Sequence, residues 1–169
     1  MSRSLLQDAF DHHVWATRRL LDACAGLDAE KLATAAPGTY GSILATARHL
    51  VGSDCGYLFA MTNGERAGVN PGSMDIAELG AVMTVNQTEW RRLLEPPLDP
   101  DVVVVRRRDD GSETRAPLGI RLAQALHHGS DHRSQICSTL TTIGIEPPDI
   151  DVWMFGEADG RVVDVQAGS

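Results

Sequence analysis

The sequence predicts an all-α fold: a four-helix bundle with a small β-hairpin between its third and fourth helices. Three observations carry this. Apolar residues recur at three- and four-residue spacing along four long stretches. Good capping residues and Gly or Pro breakers bound those stretches. One short Val-rich run before the last of them changes to a strand-like pattern. The length of 169 residues fits one domain, with a core from about residue 4 to 155 and a polar C-terminal tail.

The first helix is expected from Ser4 to Ala25, because Leu6, Phe10, His13, Thr17, Leu20, Leu21 and Cys24 share one face. Asp28 to Ala33 adds a helical turn capped by Asp28, and Ala36-Pro37-Gly38-Thr39 is a connector. A second helix runs from the cap Ser42 to about Thr62, burying Ile43, Ala47, Leu50, Tyr57, Leu58 and Met61, and stops at Asn63-Gly64. Asp75 caps a third helix that carries Ile76, Leu79, Val82 and Trp90 to about Leu94, before Pro96-Pro97. Asp101 to Val105 reads as a strand, Asp110-Gly111 as a hairpin turn, and Ser112 to Ala116 as the returning strand. Such a ribbon is marginal alone and should lie against the helices. The fourth helix spans about Ile120 to Thr142, with Leu122, Leu126, Ile136, Leu140 and Ile143 inward and Gly144 at its end. From Glu146 to Ser169 there are few helix signals.

Composition excludes several roles. Fifteen basic against twenty-three acidic residues give a net charge of -8, the wrong sign for binding nucleic acid. The one basic run, Arg106-Arg107-Arg108, is followed at once by Asp109-Asp110 and reads as strand and turn surface. Three cysteines without CxxC spacing, no signal-like N-terminal run and no apolar stretch of about 18 residues lead us to expect a soluble cytoplasmic protein without membrane contact.

Chemistry concentrates in the histidines. His128 and His132 lie four apart, so both rings leave one face of the fourth helix a turn apart and can chelate one ion. His49, beside Leu50 on the second helix, is the natural third ligand, since bundles build metal sites between facing helices. Three imidazoles plus an open position is a familiar catalytic zinc arrangement. Packed or surface histidines without a metal are the alternative. His13, between Phe10 and Thr17, could be a ligand, a proton shuttle or a core residue; a pocket-lining role is preferred. His12 and His127 are expected at the surface. Asp131 is either a hydrogen-bond partner for a ligand histidine or a solvated helix acid. Asp54 is expected at a helix contact or at the surface, and Cys137 in helix packing rather than as a nucleophile. The residue after His128 is Gly129, not the glutamate of a zincin peptidase, and no GxSxG elbow or phosphate-binding loop occurs.

The segment from His128 through His132 and Arg133 to Gln135 resembles the HxxxHRxQ signature of DinB/YfiT-like proteins. The stretch from His12 and His13 through Trp15 and Ala16 to Leu20 and Leu21 resembles their YNxWAxxxLL opening, and Gly38 to Val51 the helix with their first metal histidine. The ending Gly144 to Trp153 is similar as well, so the match covers roughly residues 5 to 155. Ser134 stands where glycine is common, and His13 where asparagine is frequent. The resemblance implies a DinB-like bundle, often a homodimer, with zinc or nickel on His49, His128 and His132. Characterised relatives include thiol S-transferases that use bacillithiol or mycothiol. A metal-dependent transferase joining a low-molecular-weight thiol to a small electrophile is therefore the first expectation. His13, Asp131 and Arg133 are the candidate catalytic residues; Arg133 either holds a carboxylate or forms a buried ion pair. A metal-dependent hydrolase and a non-enzymatic metal-binding dimer are the alternatives.

Overall fold

The structure is a computed structural model that describes residues 3–65, 69–108 and 110–165. Asp109 of the acidic turn and residues 166–169 of the tail lie outside the described residues. Four long helices build the body: α1 (Leu5–Cys24), α3 (Ile43–Met61), α4 (Ile76–Leu94) and α5 (Leu118–Thr142). A single turn, α2 (Ala29–Leu32), follows α1, a hairpin of β1 (Val103–Arg107) and β2 (Glu113–Pro117) precedes α5, and α6 (Val152–Ala158) closes the chain. Helix α1 packs on α4 and α5, and α3 packs on the same two. The order around the bundle is therefore α1, α4, α3, α5, which puts α3 beside α5.

The helix starts follow their caps. Ser4 and Asp75 each form a capping box, with Gln7 and Glu78, and Ser42 accepts from the Ala45 amide. Beyond α5, Gly144 takes φ 75°, a left-handed conformation that glycine adopts without a Cβ penalty. The core is mostly aliphatic; its aromatic pair Phe10 and Trp90 have ring centroids 4.3 Å apart. Among the described residues no helix is long and apolar enough to cross a membrane.

Three elements differ from expectation. Strand β1 starts at Val103 rather than Asp101, because Asp101 and Val102 close a turn on Asp99. Helix α5 starts at Leu118, two residues early, directly after the register-defining pair Val103–Pro117. Helix α6 lies in a tail that shows little helical pattern. Its seven residues are too few for a periodicity to emerge, but Asp151 caps it by accepting from the Met154 amide. The hairpin does lie on the bundle. Arg121 of α5 donates through Nη2 to the main-chain carbonyls of Val104 and Thr114, one on each strand.

Candidate metal centre

Helix α5 points consecutive residues at different neighbours. His128 and His132 face α3, where they meet His49; Gly129 and Arg133 face α1, where they meet His13. The 100° step per residue of an α-helix produces this division.

On the α3 side, Nε2 of His128 lies 3.1 Å from Nε2 of His49 and 3.1 Å from Nε2 of His132. An imidazole nitrogen carries either one proton or one in-plane lone pair, so it cannot form good hydrogen bonds to two other ring nitrogens at once. Three lone pairs directed at one cation fit the arrangement better. Nitrogens about 2.0–2.1 Å from one ion are about 2.9 Å apart at right angles and about 3.3 Å apart in a tetrahedron, and the observed spacing falls between. The three residues form a group whose donor atoms all lie within 4.8 Å of one another, and the donor set is entirely neutral nitrogen.

The surroundings hold these rings in the ligand form. Gln135 Oε1 accepts from the Tyr40 backbone N–H and faces His132 Nδ1, both at 3.0 Å. The proton of His132 is thereby placed on Nδ1, which leaves the Nε2 lone pair for the cation. Tyr40 stacks over His49 with ring centroids 4.0 Å apart, and Tyr57 stands edge-on to His128. Burial, then the neighbouring His132 and His49, brings the His128 imidazole down to about 4; burial and then His132 lower His49 as well. Both are neutral at pH 7, as ligands must be.

The α1 side is different. His13 is fully buried; Arg133 Nη1 donates to its Nδ1 at 3.0 Å, and its Nε2 donates to Asp54 Oδ1 at 2.9 Å. A guanidinium only donates, so the ring is neutral and bridges the two charged groups. Asp54 of α3 also accepts from Asn86 at 2.7 Å and from the Trp90 indole at 3.1 Å, so groups from α1 and α4 converge on it, with Arg133 of α5 joined through His13. Burial lowers Arg133 to about 10, with Asp54 acting against it, and no carboxylate lies within ion-pair distance of it among the described residues. A Cβ on Gly129 would lie 2.4 Å from the His13 ring, so only glycine lets that ring reach the α5 backbone.

A family model described as DinB family matches residues 1–162. The chain belongs to the DinB family. No curated protein matches it. This DinB chain therefore combines the family bundle with three histidines placed to hold one metal ion.

The remaining candidates fall as follows. Asp131 is exposed and makes no hydrogen bond among the described residues, although its charge acts on His128; Gln135 takes the place beside His132. His12, expected at the surface, is half-buried: Nε2 bonds the Ile150 carbonyl at 2.9 Å and the ring meets Trp15 and Phe155 of α6. His127 is exposed. Cys137 is half-buried and burial raises its thiol, which suits packing rather than nucleophilic attack. Sequence reasoning gave no role to Gln135, Tyr40 or Asn86. Signals existed for two: Gln135 closes the HxxxHRxQ pattern three residues after His132, and Asn86 lies four residues before Trp90 on the core face of α4, where both need buried partners.

Proposed function

We propose that His49, His128 and His132 hold one divalent ion, zinc or nickel, and that this centre serves the transfer of a low-molecular-weight thiol to a small electrophile. The observation that carries the reading is the neutral donor set: three imidazole Nε2 atoms and no carboxylate among them. With no anionic ligand to offset it, an ion held by these residues would supply Lewis acidity that lowers the pKa of a bound thiol. In the transfer the thiol loses its proton, its sulfur bonds to the electrophilic carbon, and the leaving group departs or a strained ring opens.

The chain's own residues prepare this. Gln135 sets the His132 tautomer, and Tyr40 shields one face of His49. His13 and Arg133 act as positioning residues, fixing α1 against α5 one residue step from the ligands. Asp131 is the exposed carboxylate nearest in charge to His128 and the candidate to receive the thiol proton. Cytoplasmic location and a homodimer belong to the same reading. All three cysteines are free, and the exposed apolar residues Leu5, Val152 and Trp153 border one cleft between α1, α5 and α6.

The test is cobalt substitution. Titrating thiols, bacillithiol and mycothiol among them, into the cobalt form should raise a thiolate-to-cobalt band in the ultraviolet for at least one. An electrophile such as an epoxide or a chlorinated aromatic should then be consumed at a metal-dependent rate. Cleavage of simple esters or amides, lost in His132→Ala and with no thiol band, would replace transfer with hydrolysis.

A further inference from the structure

Next to the triad lies a cavity of about 440 Å³ between α3, residues 69–71 and β1. His49 and Tyr57 line it, which ties it to the metal site, and so do Arg48 and Arg106. Among the described residues no acidic one lines it, although acids outnumber bases by twenty-three to fifteen in the chain. The two arginines are held differently. Arg48 is half-buried, and its Nε donates to the Met74 carbonyl at 2.8 Å, which fixes its guanidinium at the wall. Arg106 is exposed, and its guanidinium has no hydrogen bond or ion pair among the described residues. Its neighbours in the basic run are engaged: Arg107 pairs with Glu113 at 2.8 Å, and Arg108 bonds Ser112 and Thr114. The basic run thus satisfies two of its three arginines and leaves at the cavity mouth the one that lines it.

We infer that this cavity receives an anionic, carboxylate-bearing substrate, whose charged group is held by Arg106 and Arg48 while its reactive end lies at the His49–His128–His132 centre. The inference rests on the metal-site reading above and adds the substrate class. Guanidinium groups suit a carboxylate because their paired N–H donors match its two oxygens. With the metal and neutral imidazoles at one end and two arginines along the wall, the whole site is positive in an otherwise acidic protein. That sign draws anions to it and repels cations. The α3 wall is cut back to hold the ligand. Gly56 lines the cavity, and a Cβ there would meet nothing within 4 Å.

The experiment titrates the cobalt-loaded full chain with two matched pairs, followed by the visible cobalt spectrum. One pair is 3-mercaptopropionate and its amide; the other is succinic acid monohydroxamate and its amide. Each acid should bind on the order of tenfold tighter than its amide, as a charge-assisted contact gives. The metal alone also favours an anion, so the deciding readout is Arg106→Ala, which should shrink the gap to about threefold or less, with Arg106→Lys in between. Gly56→Leu should weaken acid and amide alike while metal content and helicity stay intact. Equal binding of acid and amide, or a gap unchanged in both Arg106→Ala and Arg48→Ala, overturns the inference. Thiols that leave the spectrum unchanged while the hydroxamates show the gap overturn thiol transfer and keep the anionic substrate. Thiols that bind without a gap do the reverse, and a chain that takes up no metal overturns both.

Discussion

Helix α5 places two histidine environments within one turn of each other, and they have opposite chemistry. On the α3 side, His128 and His49 are half-buried and neutral, and their Nε2 atoms crowd together with that of His132 so that the three cannot all satisfy one another. On the α1 side, both ring nitrogens of His13 are bonded, to Arg133 and Asp54, inside a fully buried network. A histidine whose nitrogens are both engaged holds structure together; one whose lone pair has no proton to accept is available for a metal. Burial alone does not tell them apart, since His132 is also buried.

The largest expected effect separates the two environments by stability. Asp54→Ala leaves the His13 Nε2, the Asn86 amide and the Trp90 indole without their common acceptor and should cost about 3–5 kcal/mol in urea denaturation. His128→Ala, measured metal-free, should stay within about 1 kcal/mol of wild type, because it removes a half-exposed ring with no essential partner. Equal losses in the two variants would break the comparison.

Metal affinity sharpens it from the other side. His128→Ala should abolish tight uptake. Gln135→Leu, which frees the His132 tautomer without touching the ligands, should weaken affinity roughly 10–100-fold in competition with a chromophoric chelator. If Gln135→Leu binds metal as wild type does, the hydrogen bond has no part in preparing the site.

The smallest effect is in pH. His128 titrates near 4 in the fold against 6.5 when unfolded, so the unfolded chain binds more protons across that window. Stability of the metal-free protein should therefore fall as pH drops from about 6.5 towards 4, with His49 and His12 adding in the same direction because burial lowers both. Carboxylates also titrate near the lower end. The readout is therefore the difference between wild type and His128→Gln in chemical denaturation at pH 7.5, 6 and 5. The variant should decline less steeply; identical slopes would place the His128 shift elsewhere.

Much was legible in the residues. The caps Ser42 and Asp75, the breaker Gly144 and the three- and four-residue apolar spacing marked the long helices, and Asp28 the short turn, since these signals act within one or two turns of chain. The four-residue spacing of His128 and His132 belongs to the same local geometry. Helix α6 was not legible, because one cap and seven residues make no repeat, and neither was the half-buried state of His12, which depends on Phe155 of that helix.

By itself, then, the sequence determined which stretches are helical, which faces are apolar, and that two histidines share one side of the last long helix, because each follows from backbone periodicity. Only the tertiary structure decided which neighbour each side chain meets. It set His49, rather than His13, against the α5 pair. It also gathered His13, Arg133, Asn86 and Trp90 around Asp54. Those partners come from helices far apart in the chain, and the order in which four helices pack around a core is set by how their side chains interlock, which no local spacing records.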